Sequence, residues 1–285
     1  MKTVVVTDTN SGITGEEAAA RGIYLISMPV IIDGESYFEG QSITEEQFYA
    51  ALTGERKVST SMPSPGDVME LWDKALSEHE ELIYIPMSSG LSHSCSVAQG
   101  LAEDYDGRVQ VADNHRISVT MRESVFMAAD LADQGRSAKE IKEALEQDAY
   151  NSSIYISVDT LIYLKRGGRI TPAAAMLGSV LNIKPILTIQ GERLDSFAKA
   201  RSMKKCREKM IDAIRNDYEK RFADEDPAKL RIGAAGAGLT KEEAEVWRSA
   251  VAEAFPQADV YYNPLSVSIG CHVGPGAYGI GISFR

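Results

Sequence analysis

Two hydrophobic periods alternate along this chain. Short aliphatic or β-branched runs at Thr3 to Thr7, Leu82 to Pro86 and Val109 to Ala112 read as buried strands. Between them, apolar residues recur every three or four positions. Val68, Leu71, Trp72, Ala75 and Leu76 form one such face, behind a start signal of Ser64, Pro65 and Asp67. Capping boxes open further helices: Thr14 with Glu17 (stopped at Gly22), Thr44 with Gln47 (running to about Leu52) and Ser137 with Glu140. Residues 23–32 are apolar and β-prone, 53–64 read as a polar loop, a helix follows about His93, and two more cover roughly 117–134 and 138–149. Strands alternating with helices predict a parallel sheet.

A second set of elements follows. It comprises a strand at Ile154–Val158, a helix after Thr171-Pro172, strands at 184–189 and near 194–199, and a long helix around 203–221. Strand Leu230–Ala234, a helix capped by Thr240 with Glu243, strand Asp259–Tyr262 and a final strand Ile280–Phe284 complete it. The chain has 285 residues, long for a single core. The expected fold class is α/β with two α/β lobes: 1–152 with a mostly parallel sheet, and 153–285 with a mixed sheet. No internal repeat or low-complexity segment is visible.

The formal charge of -11 excludes general nucleic-acid binding, whose affinity rests on neutralising phosphate. The charge is uneven: between Lys165 and Lys209 eleven Lys or Arg face Glu192, Asp195 and Glu208, a local +8. That stretch is either a solvated face or a docking surface for an acidic partner or a phosphate. Three widely spaced cysteines, Cys95, Cys206 and Cys271, do not make a disulfide framework. No signal peptide opens the sequence and no apolar run reaches ~18 residues. The expected compartment is the cytoplasm, without membrane insertion and with at most transient membrane contact.

Three segments combine Ser, Thr and Gly at strand ends: Thr7 to Gly12, Ser59 to Gly66, and Ser88 to Ser92. Beyond the carboxyl ends of parallel strands such groups can surround an anion, although turns and N-caps use the same residue types. Gly274, Gly276 and Gly279 match the spacing of a dinucleotide fingerprint. A strand follows them, however, where a helix is required. No Walker A sequence is present. His93 with Cys95, and Cys271 with His272, are too sparse for a zinc site. No metal and no cofactor is expected. A thiol nucleophile at Cys271 beside His272 is disfavoured if the two neighbours sit in a strand, where they point to opposite faces.

Taken together, these stretches resemble the DegV family over the full length. The resemblance is carried by Val5-Val6-Thr7-Asp8, Thr60-Ser61-Met62-Pro63-Ser64-Pro65-Gly66, Ser88-Ser89-Gly90-Leu91-Ser92 and Leu164-Lys165-Arg166-Gly167-Gly168-Arg169-Ile170. Asp159-Thr160-Leu161, Leu177-Gly178-Ser179-Val180-Leu181-Asn182-Ile183-Lys184-Pro185-Ile186-Leu187, Ala200-Arg201 and His272-Val273-Gly274-Pro275-Gly276 complete it. It implies a long-chain fatty acid buried between two lobes as the bound ligand, and an ATP-binding fatty acid kinase subunit as partner. The carboxylate would be held by Thr60 and Ser61 with Ser89, Gly90 and Ser92. Arg169, Arg201 and His272 would serve partner docking and the phosphate end of the ligand. In this reading the chain does no chemistry alone. Arg169 is expected in an exposed, mobile loop for docking, and Arg201 with a protonated His272 at the head group. The alternatives are an acyl hydrolase using Ser92 or Cys271 with His272, and a lipid-sensing regulator. His93 and Met62 replace a usual Gly and Gln near the head group.

Overall fold

The computed structural model describes residues 2–176 and 183–285. In chain order the first half contains β1 (Thr3–Asp8), α1 (Gly15–Ala20), β2 (Ile23–Ile26), β3 (Pro29–Ile32), β4 (Glu35–Phe38), α2 (Glu45–Thr53) and β5 (Val58–Thr60). It continues with α3 (Pro65–Leu76), β6 (Glu81–Ile85), α4 (Ser94–Ala102), β7 (Val109–Val111), α5 (Ser118–Asp133) and α6 (Ala138–Gln147). The second half contains β8 (Ser153–Ser157), α7 (Ile162–Gly167), α8 (Pro172–Met176), β9 (Lys184–Ile189), β10 (Asp195–Ala200) and α9 (Met203–Lys220). It ends with β11 (Leu230–Ala237), α10 (Lys241–Ala254), β12 (Asp259–Pro264), α11 (Val267–Val273) and β13 (Ala277–Phe284).

The four capping boxes form as their sequences dictate: Thr14, Thr44, Ser137 and Thr240 each accept the N3 backbone N–H, and the N3 side chain returns the bond. Strands β2-β1-β6-β7 make a wholly parallel sheet. Strands β10-β9-β8-β13-β11-β12 make a mixed one, in which only β11 and β12 run parallel. A small antiparallel sheet, β4-β3-β5, stands apart.

Helix α5 lies between the two large sheets. Its buried face packs on β1 from one side and on β11 and β13 from the other. The resulting core joins Val5, Ile83 and Val125 to Ile154, Leu187 and Val273, so it belongs to both halves of the chain. On the outer face of the parallel sheet, α3 buries its Trp72 in a core shared with α4. On the outer face of the mixed sheet, α10 buries its Trp247 in a core shared with α9. Every residue of β8 and β13 is buried, as expected of strands covered on both faces.

Three local expectations differ. The segment 53–64 is not all loop, because Val58 to Thr60 pairs with β3. Residues 162–167 form α7, so Arg166-Gly167 ends a helix rather than lying in a loop. Residues 267–273 form α11, so Cys271 and His272 are helical neighbours, not strand neighbours. Of the Leu177–Leu187 stretch, residues 177–182 lie outside the described residues.

Candidate functional site

Thr60 ends β5, whose register against β3 pairs it with Val30. Its Oγ1 lies 2.9 Å from Nε2 of His272, across 212 positions of sequence. Helix α11 makes this possible by packing against α2, α7, β3 and β5. Its N-cap Ser266 accepts from the Ile269 N–H and donates to Asn10 Oδ1 at 2.7 Å, tying the helix to the loop after β1. The imidazole lies against the last turn of α7, where a Cβ at Gly167 would collide with its Nδ1. Glycine is therefore required there by close approach.

Gly168 follows as the left-handed cap of α7 and turns the chain into Arg169. The Arg169 guanidinium donates through Nε to the Leu91 carbonyl at 3.2 Å and through Nη1 to the Gly167 carbonyl at 2.5 Å. Its backbone carbonyl accepts from Leu194 N–H. Leu91 precedes Ser92, whose Oγ accepts from Ser94 N–H at 3.1 Å and lies 2.8 Å from Ser94 Oγ. The Thr60–His272 pair thus stands beside Arg169, which is bonded to the Leu91–Ser92 turn, and together they make one polar cluster. Nδ1 of His272 is buried and has no hydrogen-bond partner among the described residues. Burial, and then the positive charge of Arg169, push the His272 pKa down to about 4. At neutral pH the ring is uncharged.

This cluster lines a pocket with about 850 Å³ of empty space, part of it open to solvent. Thr60, Ser61, Ser92, Arg169 and His272 form part of its wall. Much of the rest is apolar: Met28 and Met87 from the first half, Leu164, Ile154, Ile156 and Ile189 from the second.

The sequence-derived assignments divide against this geometry. Thr60, Ser61, Ser92, Arg169 and His272 come together on the cavity. Ser89 does not line it: the residue is exposed, and its N–H donates to Asp113 Oδ1 at 3.3 Å. Gly90 also lies off the cavity, packed against Gly191 and Glu192. Arg201 is exposed, just past the end of edge strand β10. Strands β9 and β8 separate β10 from β13, roughly 14 Å at the usual spacing. Arg169, expected in an exposed loop, is half-buried beside His272, while Arg201 is solvated, because an edge strand leaves a long cation free to reach water. His272 is neutral rather than protonated, because the ring is desolvated. His93 is exposed and off the cavity, whereas Met62 lines it.

Neither Ser92 nor Cys271, the nucleophiles of the hydrolase alternative, is hydrogen-bonded to His272. His272 bonds to Thr60, and Ser92 to Ser94. The Cys271 thiol is buried, and desolvation pushes its pKa up to about 11, leaving it protonated and a weak nucleophile. Among the described residues no cluster of three or more His, Cys, Asp or Glu could hold a metal, and no helix is long and apolar enough to cross a membrane.

Several residues of the site carried no sharp sequence signal. Asp8 is wholly buried and accepts from the N–H of Asn10 at 2.8 Å and of Met87 at 2.9 Å, which joins the ends of β1 and β6. Burial pushes its pKa up to about 6 against those two bonds. Asn10 itself lines the cavity. The Ser, Thr and Gly content of residues 7–12 marked this segment, but not which of its atoms would be used.

Fold and site together define an α/β protein built around one large, mainly apolar cavity with a polar cluster in its wall. The chain belongs to the DegV family: the family model described as "Uncharacterised protein, DegV family" matches residues 2–285. Among curated relatives, a DegV domain-containing protein of Listeria innocua is 30% identical, with 100% of this chain and 99% of that protein covered. One of Deinococcus radiodurans is 29% identical, covering 99% and 98%. Two solved structures are similar over all of both chains. One is a fatty-acid-binding DegV family protein from Thermus thermophilus (TM-score 0.89, 28% identity), the other DegV from Bacillus subtilis, a fatty acid binding protein (TM-score 0.87, 27% identity).

Proposed function

We propose that this protein binds one long-chain fatty acid in the cavity and presents its carboxylate to a separate ATP-binding kinase subunit in the cytoplasm, which forms the acyl phosphate. The observation that carries the reading is the pairing of a large apolar cavity with the polar cluster of Thr60, Ser92, Arg169 and His272 in its wall. The fatty-acid-binding relatives from Thermus thermophilus and Bacillus subtilis support it. Burial of a chain of ~15 methylenes is worth at most about 12 kcal/mol before ordering costs, at ~0.8 kcal/mol each, so the tail supplies the affinity. A buried carboxylate must be hydrogen-bonded, so the head sets the orientation. Thr60 and Ser92 hydroxyls donate to it, with Ser61 at the rim. Neutral His272 takes its place in the same network, and Arg169 faces the phosphate end. Arg201, on the exposed edge, belongs to the surface that meets the partner, as do Ser89 and Gly90 on the outside of the turn.

The division of the chain at 152/153 is part of this proposal: the head-group hydroxyls come from the first part, and the basic segment and α11 from the second. The test is native mass spectrometry and fatty-acid titration of the wild type and of Thr60→Ala combined with Ser92→Ala. Each lost hydrogen bond to a charged group costs roughly 1.5–3 kcal/mol, so affinity should drop at least about tenfold with the fold intact. Unchanged affinity would reject the head-group assignment, and a wild-type protein that retains no fatty acid would reject the carrier reading.

A further inference from the structure

Part of the cavity wall is ill suited to a hydrocarbon chain. Asn10 and Ser118 both line it, and they are only 1% and 7% exposed. The Asn10 side chain accepts from Ser266 Oγ through Oδ1 and donates through Nδ2 to the Met87 thioether at 2.9 Å. A thioether is a weak acceptor, and the second Nδ2 proton has no partner among the described residues. The Ser118 hydroxyl likewise has no hydrogen-bond partner among the described residues. Its backbone is left-handed, φ 55°, uncommon for a residue other than glycine.

Ser118 opens α5, a helix of 16 residues. The preceding Ile117 has no side chain that can cap it. The N–H groups of Ser118, Val119 and Thr120 therefore find no acceptor among the described residues. Ile117 and Val119 line the cavity beside Ser118, so the positive end of this helix opens on it. Asn10 stands on the same side: α5 packs on the turn Thr9–Ser11 that carries it. Met87 also leads there, because the N–H of the next residue, Ser88, donates to the Arg116 carbonyl at 2.9 Å, two residues before Ser118. A methylene chain passing this stretch would leave an amide, a hydroxyl and an uncapped helix end dry and unpaired, at a cost. An oxygen on the chain would accept from them. The Asp8 carboxylate, which accepts from the N–H of Asn10 and Met87, favours a neutral oxygen there over a second carboxylate. Helix α11 sets the distance from the head group. Ser266, bonded to Asn10, stands six residues before His272, roughly 9 Å of helix. An extended acyl chain covers that in about six or seven carbon–carbon bonds.

We propose that the N-terminus of α5, Ser118 and Asn10 form a second polar subsite in the cavity, and that the protein accepts fatty acids bearing a hydroxyl or keto oxygen partway along the chain. The inference rests on the fatty-acid reading above and adds to it the class of acyl chain. The experiment displaces a fluorescent fatty acid from the full-length protein with one saturated acid and with its hydroxy and keto derivatives. In these the oxygen is moved carbon by carbon from near the carboxylate to the far end. It uses the wild type, Ser118→Ala, which breaks no hydrogen bond of the fold, and Asn10→Leu. With the oxygen at about the sixth to eighth carbon, the derivative should bind within about threefold of its parent acid. Isomers with the oxygen far from there should be about tenfold or more weaker, because they bury it without a partner. Both variants should lower the affinity for the best derivative about fivefold or more relative to the parent acid. Equal weakening at every position of the oxygen, or a ratio unmoved in both variants, overturns this inference and leaves the carrier reading standing. Failure of the parent acid itself to displace the probe overturns both.

Discussion

Two buried titratable residues near the cavity oppose each other across the acid range. His272 titrates near 6.5 in the unfolded chain and about 4 in the fold. As pH falls through that window the unfolded state takes up a proton that the folded state refuses, so stability drops, by up to roughly 3 kcal/mol. Asp8 has the opposite sign: its pKa is 3.8 in the unfolded chain and about 6 in the fold. As pH falls from about 6 toward 3.8, the folded state takes the proton first and gains stability. The two contributions oppose each other in the wild type. His272→Gln removes one of them, so the variant should gain on the wild type as pH drops from 7.5 to ~4.5. Urea midpoints of both proteins at both pH values test this, and a gap independent of pH would contradict the account of a neutral, desolvated imidazole. A bound fatty acid should reduce the effect, since an adjacent carboxylate favours the charged ring.

At the scale of the element, the contact between α7 and α11 matters most. The end of α7 has no side chain at Gly167, and the imidazole of α11 fills that space. In an ordinary helix interior Gly→Ala stabilises, by as much as about 1 kcal/mol. Gly167→Ala should instead displace the His272 ring, break its bond to Thr60 and lower fatty-acid affinity about tenfold. Gly100 in α4 is the control, because a Cβ there meets nothing within 4 Å. Gly100→Ala should raise the thermal midpoint and leave affinity alone. Equal affinities for the two variants would show that the ring is free to move away from α7. Helix α11 was invisible to pattern reading for a physical reason. Its seven residues include Val267, Ile269, Gly270 and Val273, poor helix formers, and too few turns for a periodicity to show. Packing against α2, α7, β3, β5 and β11 supplies what propensity does not.

For the whole molecule, the core between the sheets decides how it folds. Residues 1–152 alone would expose Val119, which packs on Gly233 and Gly281, and 153–285 alone would uncover the face of β11 and β13 that α5 covers. Two lobes that share a core should unfold as one. Trp72 and Trp247, both wholly buried, sit on the outer faces of the two sheets and report each half separately. Single-tryptophan variants made with Trp72→Phe or Trp247→Phe should show urea transitions that each coincide with the transition seen by circular dichroism. A tryptophan signal that departs from the circular dichroism curve, with one half melting first, would mean independently stable lobes.

Much of this architecture was legible locally. Capping boxes at Thr14, Thr44, Ser137 and Thr240 start helices because both bonds of each box form within four residues. Strands such as Thr3–Asp8 announce themselves through a β-branched run, Val4 to Val6, suited to a strand buried on both faces. The small hydroxyl residues at strand ends marked the right neighbourhood of the site for the same local reason. Which of them face the cavity was not legible. Ser89 and Ser92 are alike in sequence, and only the turn after β6 sends one to solvent and the other inward. Arg169 and Arg201 are likewise equivalent as cations on a chain. The left-handed cap at Gly168 puts the first beside His272, while the place of β10 at the sheet edge puts the second in water. Side-chain chemistry and nearest-neighbour geometry are properties of short segments. The meeting of residues 60 and 272 depends on how α11, folded in the second half, packs into the first.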